Sequence, residues 1–369
     1  MRLKKEDGPF TNYFSMMNKL SVLFLLLFTA SLSCNKNSGG STVPTPAPPS
    51  STNTFTNPLL PSGPDPWVIK KGTTYYYTHT LGNRIGLWKT EKMSELKNAP
   101  VQTIWSAPSS GPNSKNVWAP ELHFLNNKWY VYYAADDGNN VNHRMYVLEN
   151  SSADPLSGSW ESKGKISDPT DKWAIDGTVF DYNGQLYFIW SGWEGNVDGR
   201  QDLYIAKMLN PWTIEGNRVL ISAPTFDWEK LGIPDVDVNE GPEVIKNAAG
   251  KVFLTYSASG CWNDDYSLGL LTLKDGGNPL IAADWTKTPM PVFTKNTSGG
   301  AFGPGHNTFF KSADNTEDWI LYHANSSAGQ GCGDVRSPRM QKFIWNADGT
   351  PAFGQPVATG AAIKKPSGE

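Results

Sequence analysis

Long apolar runs, net charge and helical periodicity are all scarce in this chain. The one extended apolar stretch, Leu20 to Ala30, spans eleven residues, too few to cross a bilayer. Formal net charge is only −3, with acids and bases interspersed, so no basic face attracts nucleic acid or an anionic membrane surface. No helical pattern of apolar residues follows residue 58, which removes the helical fold classes. What is abundant is 35 Gly, 27 Pro and a 12% share of aromatics that includes 15 Trp, the mix expected of many short strands joined by tight turns. Most of those aromatics are expected to pack a β core.

The N-terminus reads as a targeting segment. Leu20 to Ala30, with Lys19 before it and Ser31-Leu32-Ser33-Cys34 after it, suits the core of a secretory signal. The polar and aromatic residues upstream are unusual there, and a start at Met16 or Met17 gives a signal of ordinary length. The small residues leading to Cys34 resemble a bacterial lipoprotein signal, in which the Cys is acylated, although Ser31 stands where such signals carry Leu. A plain secretory signal is the alternative. Residues 35–57, rich in Ser, Thr, Pro, Gly and Asn, offer nothing to bury and are expected to form a disordered tether. The organisation expected is therefore signal with lipidated Cys34 over 1–34, tether over 35–57, and one folded domain over 58–369. The protein is then exported and anchored by lipid to a bacterial envelope.

Within 58–369 one unit recurs. Its openings are Asp65-Pro66, Trp118-Ala119-Pro120-Glu121, Ile175-Asp176-Gly177, Asn239-Glu240-Gly241-Pro242 and Gly303-Pro304-Gly305-His306, spaced roughly 54 to 64 residues apart. After each come an apolar run, a Gly or Asn turn such as Lys71-Gly72 or Asn183-Gly184, an aromatic run such as Tyr75-Tyr76-Tyr77, and a third strand. A fixed period of this length built from hairpins predicts an all-β chain folded as a single five-bladed β-propeller. A sandwich needs no fixed period, and a β-helix has a far shorter one. Closure is expected to borrow a terminal segment to complete a blade.

In a propeller the innermost strand of every blade runs along the axis, so residues at the strand starts gather on one rim. That places Asp65, Asp176 and Glu240 together, with Trp118, Glu121 and His306. Each carboxylate alone is explained equally well as a turn cap. Three in register are not, because like charges repel and no structural need draws them together. Two carboxylates flanking a scissile bond are the apparatus of glycoside hydrolysis, and a third beside the acid raises its pKa.

These openings, taken in order, resemble glycoside hydrolase family 43, and the resemblance covers essentially everything after the tether. It implies a five-bladed propeller, hydrolysis with inversion, and substrates containing arabinose or xylose. Carried over by position, Asp65 is the general base, Asp176 the pKa modulator and Glu240 the general acid. Glu243 is the nearest rival for the acid, but on an alternating strand it points elsewhere. Inversion implies a gap of roughly 6.5 to 9.5 Å between the acid and base carboxyls. His306 matches a histidine that lies near a channel metal in arabinan-cleaving relatives. Calcium is the expected ion, with waters supplying most of its shell, and a histidine bonded to channel water is the alternative. Arg336 matches an arginine that contacts the sugar, with Arg339 the alternative, and either one can instead be a structural partner for Asp334.

With Cys34 lipidated, Cys261 and Cys332 remain as an even pair, expected to form a disulfide between two loops beside the rim. Trp118, Trp193 and Trp262 are candidate sugar platforms, or else loop-packing residues. The activity expected is removal of terminal α-L-arabinofuranosyl units from plant arabinan or arabinoxylan by a monomer. The continuation Tyr256-Ser257-Ala258-Ser259-Gly260-Cys261-Trp262 and the Gly303 to Asn307 motif resemble the exo-acting arabinofuranosidases most. Alternatives are a β-xylosidase, an endo-arabinanase, and a non-catalytic glycan-binding lipoprotein. A fructan-cleaving propeller is excluded, because Pro64 precedes Asp65 and no Arg-Asp-Pro triplet occurs.

Overall fold

Wherever the sequence places a tight turn between two apolar runs, the flanking strands pair antiparallel. In the computed structural model, which describes residues 53–234 and 236–369, four such strands follow one another five times. The first unit is Trp67–Lys71, Thr74–Thr78, Arg84–Thr90 and Val101–Ser106. The second is Lys115–Leu125, Lys128–Asp136, Arg144–Asn150 and Glu161–Ile166. The third is Ala174–Tyr182, Gln185–Gly192, Arg200–Asn210 and Thr213–Ser222. The fourth is Asp237–Lys246, Val252–Ala258, Ser267–Leu273 and Trp285–Lys287, and the fifth Phe302–Lys311, Asp318–Asn325, Ser337–Trp345 and Pro351–Ala352. Asn126-Asn127 and Asn183-Gly184 both hold φ above zero at two successive residues, the geometry that closes a two-residue hairpin.

The sheets alone do not count blades. Three contain four strands, while the third and fourth units fuse into one of eight through a short parallel pairing of Arg200 with Asp237 and Gln201 with Val238. The packing between units is cyclic. Each inner strand touches those of the units before and after it, and the inner strand of the fifth unit touches that of the first. Five hydrophobic clusters fill the spaces between neighbouring units. Alternation along a strand explains the runs of aromatics. Tyr75 and Tyr77 face the fifth unit, whereas Tyr76 faces the second. Each sheet is buried on both faces, so its central strands read as continuous apolar runs. At about 1.5–3 kcal/mol for each large apolar side chain buried, these clusters are the main force holding the ring together. The fold is a β-propeller.

Two expectations need correction here. Closure does not complete a blade with a terminal strand, since every unit takes its four strands from consecutive sequence. Instead Thr54–Phe55 pairs with Ile363–Lys364 as a separate two-stranded sheet. Phe55 and Leu59 are buried in the cluster between the first and fifth units, and the Glu369 carboxylate accepts from the Met93 and Ser94 amides. The segments around Thr54 and Ile363 therefore clasp the seam. For the same reason the fold begins before Pro58. The buried Asn57 side chain bonds the Met340 backbone in both directions, so the last residues assigned to the tether belong to the domain. The signal, Cys34 and the rest of the tether lie outside the described residues. Among the described residues no helix is long and apolar enough to cross a membrane.

Candidate active site

One backbone feature positions the whole site. In each unit a residue at the head of the inner strand is left-handed: Asp65 (φ 56°), Ala119 (φ 41°), Asp176 (φ 54°), Gly241 (φ 52°) and His306 (φ 46°). In the last four units the regular pairing is interrupted there and resumes two residues later, at Glu121, Thr178, Glu243 and Thr308. Such a bulge re-aims the side chains around it. A non-glycine residue pays roughly 1–2 kcal/mol to sit there. Strain at the same place in unit after unit marks a functional rim.

This register corrects one sequence assignment. Glu240 is not the counterpart of Asp65, Asp176 and His306; Gly241 is. Glu240 stands one residue earlier, still in register with Ser257. Gly241 has to lack a side chain, because a Cβ there would lie 3.3 Å from the His306 ring on a left-handed backbone.

Asp65 is the most heavily bonded of the three acids. Its Oδ1 accepts from Arg336 Nη1 at 2.8 Å and its Oδ2 from the Thr80 hydroxyl at 2.7 Å. Its backbone N–H donates to His323 Nδ1 at 3.0 Å, so that nitrogen carries no proton and its 3.5 Å approach to Oδ1 is not an ion pair. Burial raises the carboxyl pKa, but the Arg336 charge, helped by the Thr80 bond, outweighs it and holds Asp65 well below the usual carboxylate range.

Asp176 is buried, and its Oδ2 accepts from the Gly241 backbone N–H at 3.0 Å, directly behind Glu240. Burial and then the Glu240 and Asp65 charges raise its pKa. Glu240 opens partly to solvent while its carboxyl is hemmed in by protein. Burial is the largest cause of its raised pKa. A Tyr266 hydrogen bond pulls the other way, the Asp65 charge adds to the rise, Arg336 opposes it, and the result is about 7. One rim thus holds a carboxylate kept ionised and a carboxyl able to keep its proton near neutrality.

His306 donates its backbone N–H to the Ser257 hydroxyl at 2.7 Å and brings Nδ1 within 3.4 Å of Asp65 and 3.9 Å of Asp176. Burial lowers its pKa against the Asp65 attraction, keeping the ring neutral. A narrow axial cavity continues from Asp65, Gly241 and His306 down to Trp67, Glu121 and Asn307. Among the described residues no three His, Cys, Asp or Glu side chains are arranged to hold a metal ion. Asp65 already has Arg336 and Thr80 on its two oxygens, so a calcium ion beside His306, which takes six to eight oxygens, would draw its shell chiefly from water.

The remaining candidates separate clearly. Arg336 bonds Asp65 rather than Asp334, whereas Arg339 is fully buried and bonds Gly300, Thr359 and Ser326. Trp118 is half-buried with one face stacked on the buried His143 at 4.1 Å. Trp193 departs from its expected place: it is 1% exposed and stacks on Trp173 at 4.7 Å, leaving no open face for a sugar. Trp262 is half-buried and folded over Gly260 and Gly232, with its indole nitrogen enclosed. Cys261 and Cys332 form a disulfide with Cα atoms 5.1 Å apart, linking the loops that lead to Tyr266 and Arg336. Glu243 lies below the rim with Thr308. Thr80, Tyr266 and His323 carry no local signature: Thr80 follows the second strand of the first unit, Tyr266 precedes the third strand of the fourth, and His323 lies in the second strand of the fifth.

Residues 55–351 match the profile of Glycosyl hydrolases family 43. The chain belongs to this family. It is 45% identical over 322 residues to an extracellular exo-α-(1→5)-L-arabinofuranosidase of Streptomyces avermitilis, covering 85% of this chain and 66% of that protein. It is 38% identical over 285 residues to a protein of the same name from Streptomyces chartreusis, covering 76% of this chain and 84% of that one. The family 43 fold is also seen in the crystal structure of an α-L-arabinofuranosidase from Lactobacillus brevis. That structure matches with a TM-score of 0.78 at 36% identity, over 83% of this chain and 98% of that chain. The chain spans just under two thirds of the length of the Streptomyces avermitilis relative.

Proposed function

We propose that this family 43 protein is an exported, inverting exo-α-L-arabinofuranosidase that removes terminal arabinofuranosyl units from plant arabinan or arabinoxylan. The observation that carries the mechanism is the opposite setting of two acids on one rim, Asp65 held ionised and Glu240 raised to about 7. The names of the Streptomyces relatives support the sugar, the exo action and the export.

Glu240 gives its proton to the glycosidic oxygen as the bond from that oxygen to the anomeric carbon breaks. Asp65 takes a proton from a water whose oxygen bonds the anomeric carbon from the opposite face. The products are the inverted sugar and the free alcohol. Glu240 ends ionised and Asp65 protonated, and exchange with solvent restores both. Asp176 holds the backbone behind Glu240 through the Gly241 amide, while burial and the Asp65 charge keep the acid's pKa high. Arg336 holds Asp65 in its ionised form, and Trp118 offers a sugar ring its open face.

The domain from Asn53 onward is assayed on aryl α-L-arabinofuranoside and aryl β-D-xyloside beside Glu240→Gln. Arabinoside cleavage with initial release of the inverted anomer, lost by about 10³-fold in the variant, is the expected result. Xyloside cleavage alone would replace the substrate, and no turnover of either with oligosaccharide still bound would favour an endo-acting or glycan-binding protein. The reaction as written needs no calcium at His306. Activity is expected to change by less than about twofold after chelation, and a loss restored by added calcium would reinstate the ion. Lipidation at Cys34 is a further proposal, checked by mass spectrometry of the membrane-extracted protein.

A further inference from the structure

The Gly303-Pro304-Gly305 opening of the fifth unit has no partner role in the mechanism above, and its bareness has a purpose. A Cβ on Gly305 would lie 2.3 Å from the Tyr266 ring, and one on Gly303 would lie 3.5 Å from Tyr266 Cβ on a left-handed backbone. Gly305 clears a slot. Tyr266 fills it, 1% exposed, with its ring nearly parallel to His323 at 5.7 Å and 10°. At the end of the slot its hydroxyl donates to Glu240 Oε1 at 2.8 Å.

We propose that Tyr266 is a positioning residue for Glu240, fixing the direction of the acid's carboxyl and setting the pH at which it loses its proton. This rests on Glu240 being the general acid. A phenol buried and packed between His323 and Gly305 is held by its neighbours, which directs the bond it makes and the carboxyl it holds. Glu240 is also faced by Asp65 and Arg336, with Asp176 behind Gly241. Tyr266 is faced by Glu240, Ser257, Asp176 and Asp65, with His323 stacked on it. Of these groups Tyr266 is the one with a direct hydrogen bond to the Glu240 carboxyl. A hydroxyl donated to a carboxylate favours the ionised form, so its removal raises the acid's pKa.

The test compares wild type, Tyr266→Phe and Glu240→Gln on 2,4-dinitrophenyl and methyl α-L-arabinofuranosides across pH. In Tyr266→Phe the alkaline limb of kcat/KM is expected to move up by about one pH unit. Its kcat on the methyl glycoside is expected to fall by about tenfold or more, while the dinitrophenyl glycoside, which needs little proton assistance, is nearly unaffected. KM and the thermal midpoint stay close to wild type. Gly305→Ala, which keeps the hydroxyl but displaces the ring, is expected to show the same selective loss on the methyl glycoside. An unmoved alkaline limb in Tyr266→Phe would overturn the proposal, provided Glu240→Gln keeps its larger loss on the methyl glycoside. Equal losses on both glycosides in Glu240→Gln would overturn the acid assignment and the Tyr266 role with it.

Discussion

Two layers of carboxylates hang on the same inner strands, yet their surroundings differ sharply. The rim layer is Asp65, Asp176 and Glu240. The layer below is Glu121 and Glu243, each buried and two residues past a left-handed position, with Glu121 lining the axial cavity. The rim has a cation, Arg336, and an opening to solvent. Below it, Glu243 meets the Thr308 hydroxyl at 3.3 Å and Glu121 meets His123 at 2.9 Å. Burial raises both lower acids well above their ordinary values and lowers His123, so that contact is a neutral hydrogen bond rather than an ion pair. Burial alone therefore makes a neutral acid. Burial plus one well-placed guanidinium makes, a few residues away, a pair of acids set in opposite states.

The comparison is broken most severely at the base. Asp65→Asn is expected to lower kcat by about 10³-fold on all substrates, read by initial rates with folding checked by circular dichroism. Arg336→Leu sharpens it. Without the guanidinium the Asp65 pKa rises, so the acid limb of the pH–rate profile moves to higher pH, opposite in cause to the alkaline shift expected of Tyr266→Phe. An unmoved acid limb would separate Arg336 from the base.

The smallest effect on catalysis belongs to the lower layer. Glu121→Gln and Glu243→Gln are expected to keep activity within about threefold, since each replaces a neutral acid by a neutral amide of the same shape. Their effect is on stability. A carboxyl whose folded pKa is raised stabilises the fold fully below its unfolded pKa and loses that contribution as pH rises toward the folded value. Denaturant midpoints of the Gln variants are therefore expected to gain on wild type as pH climbs from 4 toward 8. A loss of activity comparable to Asp65→Asn would erase the distinction between the layers.

Legibility in the sequence followed burial. Central strands, buried on both faces, announced themselves as apolar and aromatic runs between Gly and Asn turns. The fourth strands did not. Val101–Ser106 and Glu161–Ile166 are largely exposed outer strands with polar residues, and nothing in their composition separates them from loops. Trp193 read as a platform because a Trp in a Gly-rich rim loop looks exposed, and only Trp173, contributed by the preceding connection, buries it.

The sequence by itself determined the repeated hairpin unit, the propeller that follows from it, and which acids stand at the strand heads. Those features are local, since turn chemistry and alternation act over a few residues. The tertiary structure decided the rest: the one-residue offset of Glu240, the pairing of Thr54–Phe55 with Ile363–Lys364, and the charge state of the rim acids. These depend on groups far apart in the chain, Arg336 on Asp65, Tyr266 on Glu240, Gly241 against His306. Electrostatic forces and close packing depend on separation in space, and no pattern along the chain encodes that separation.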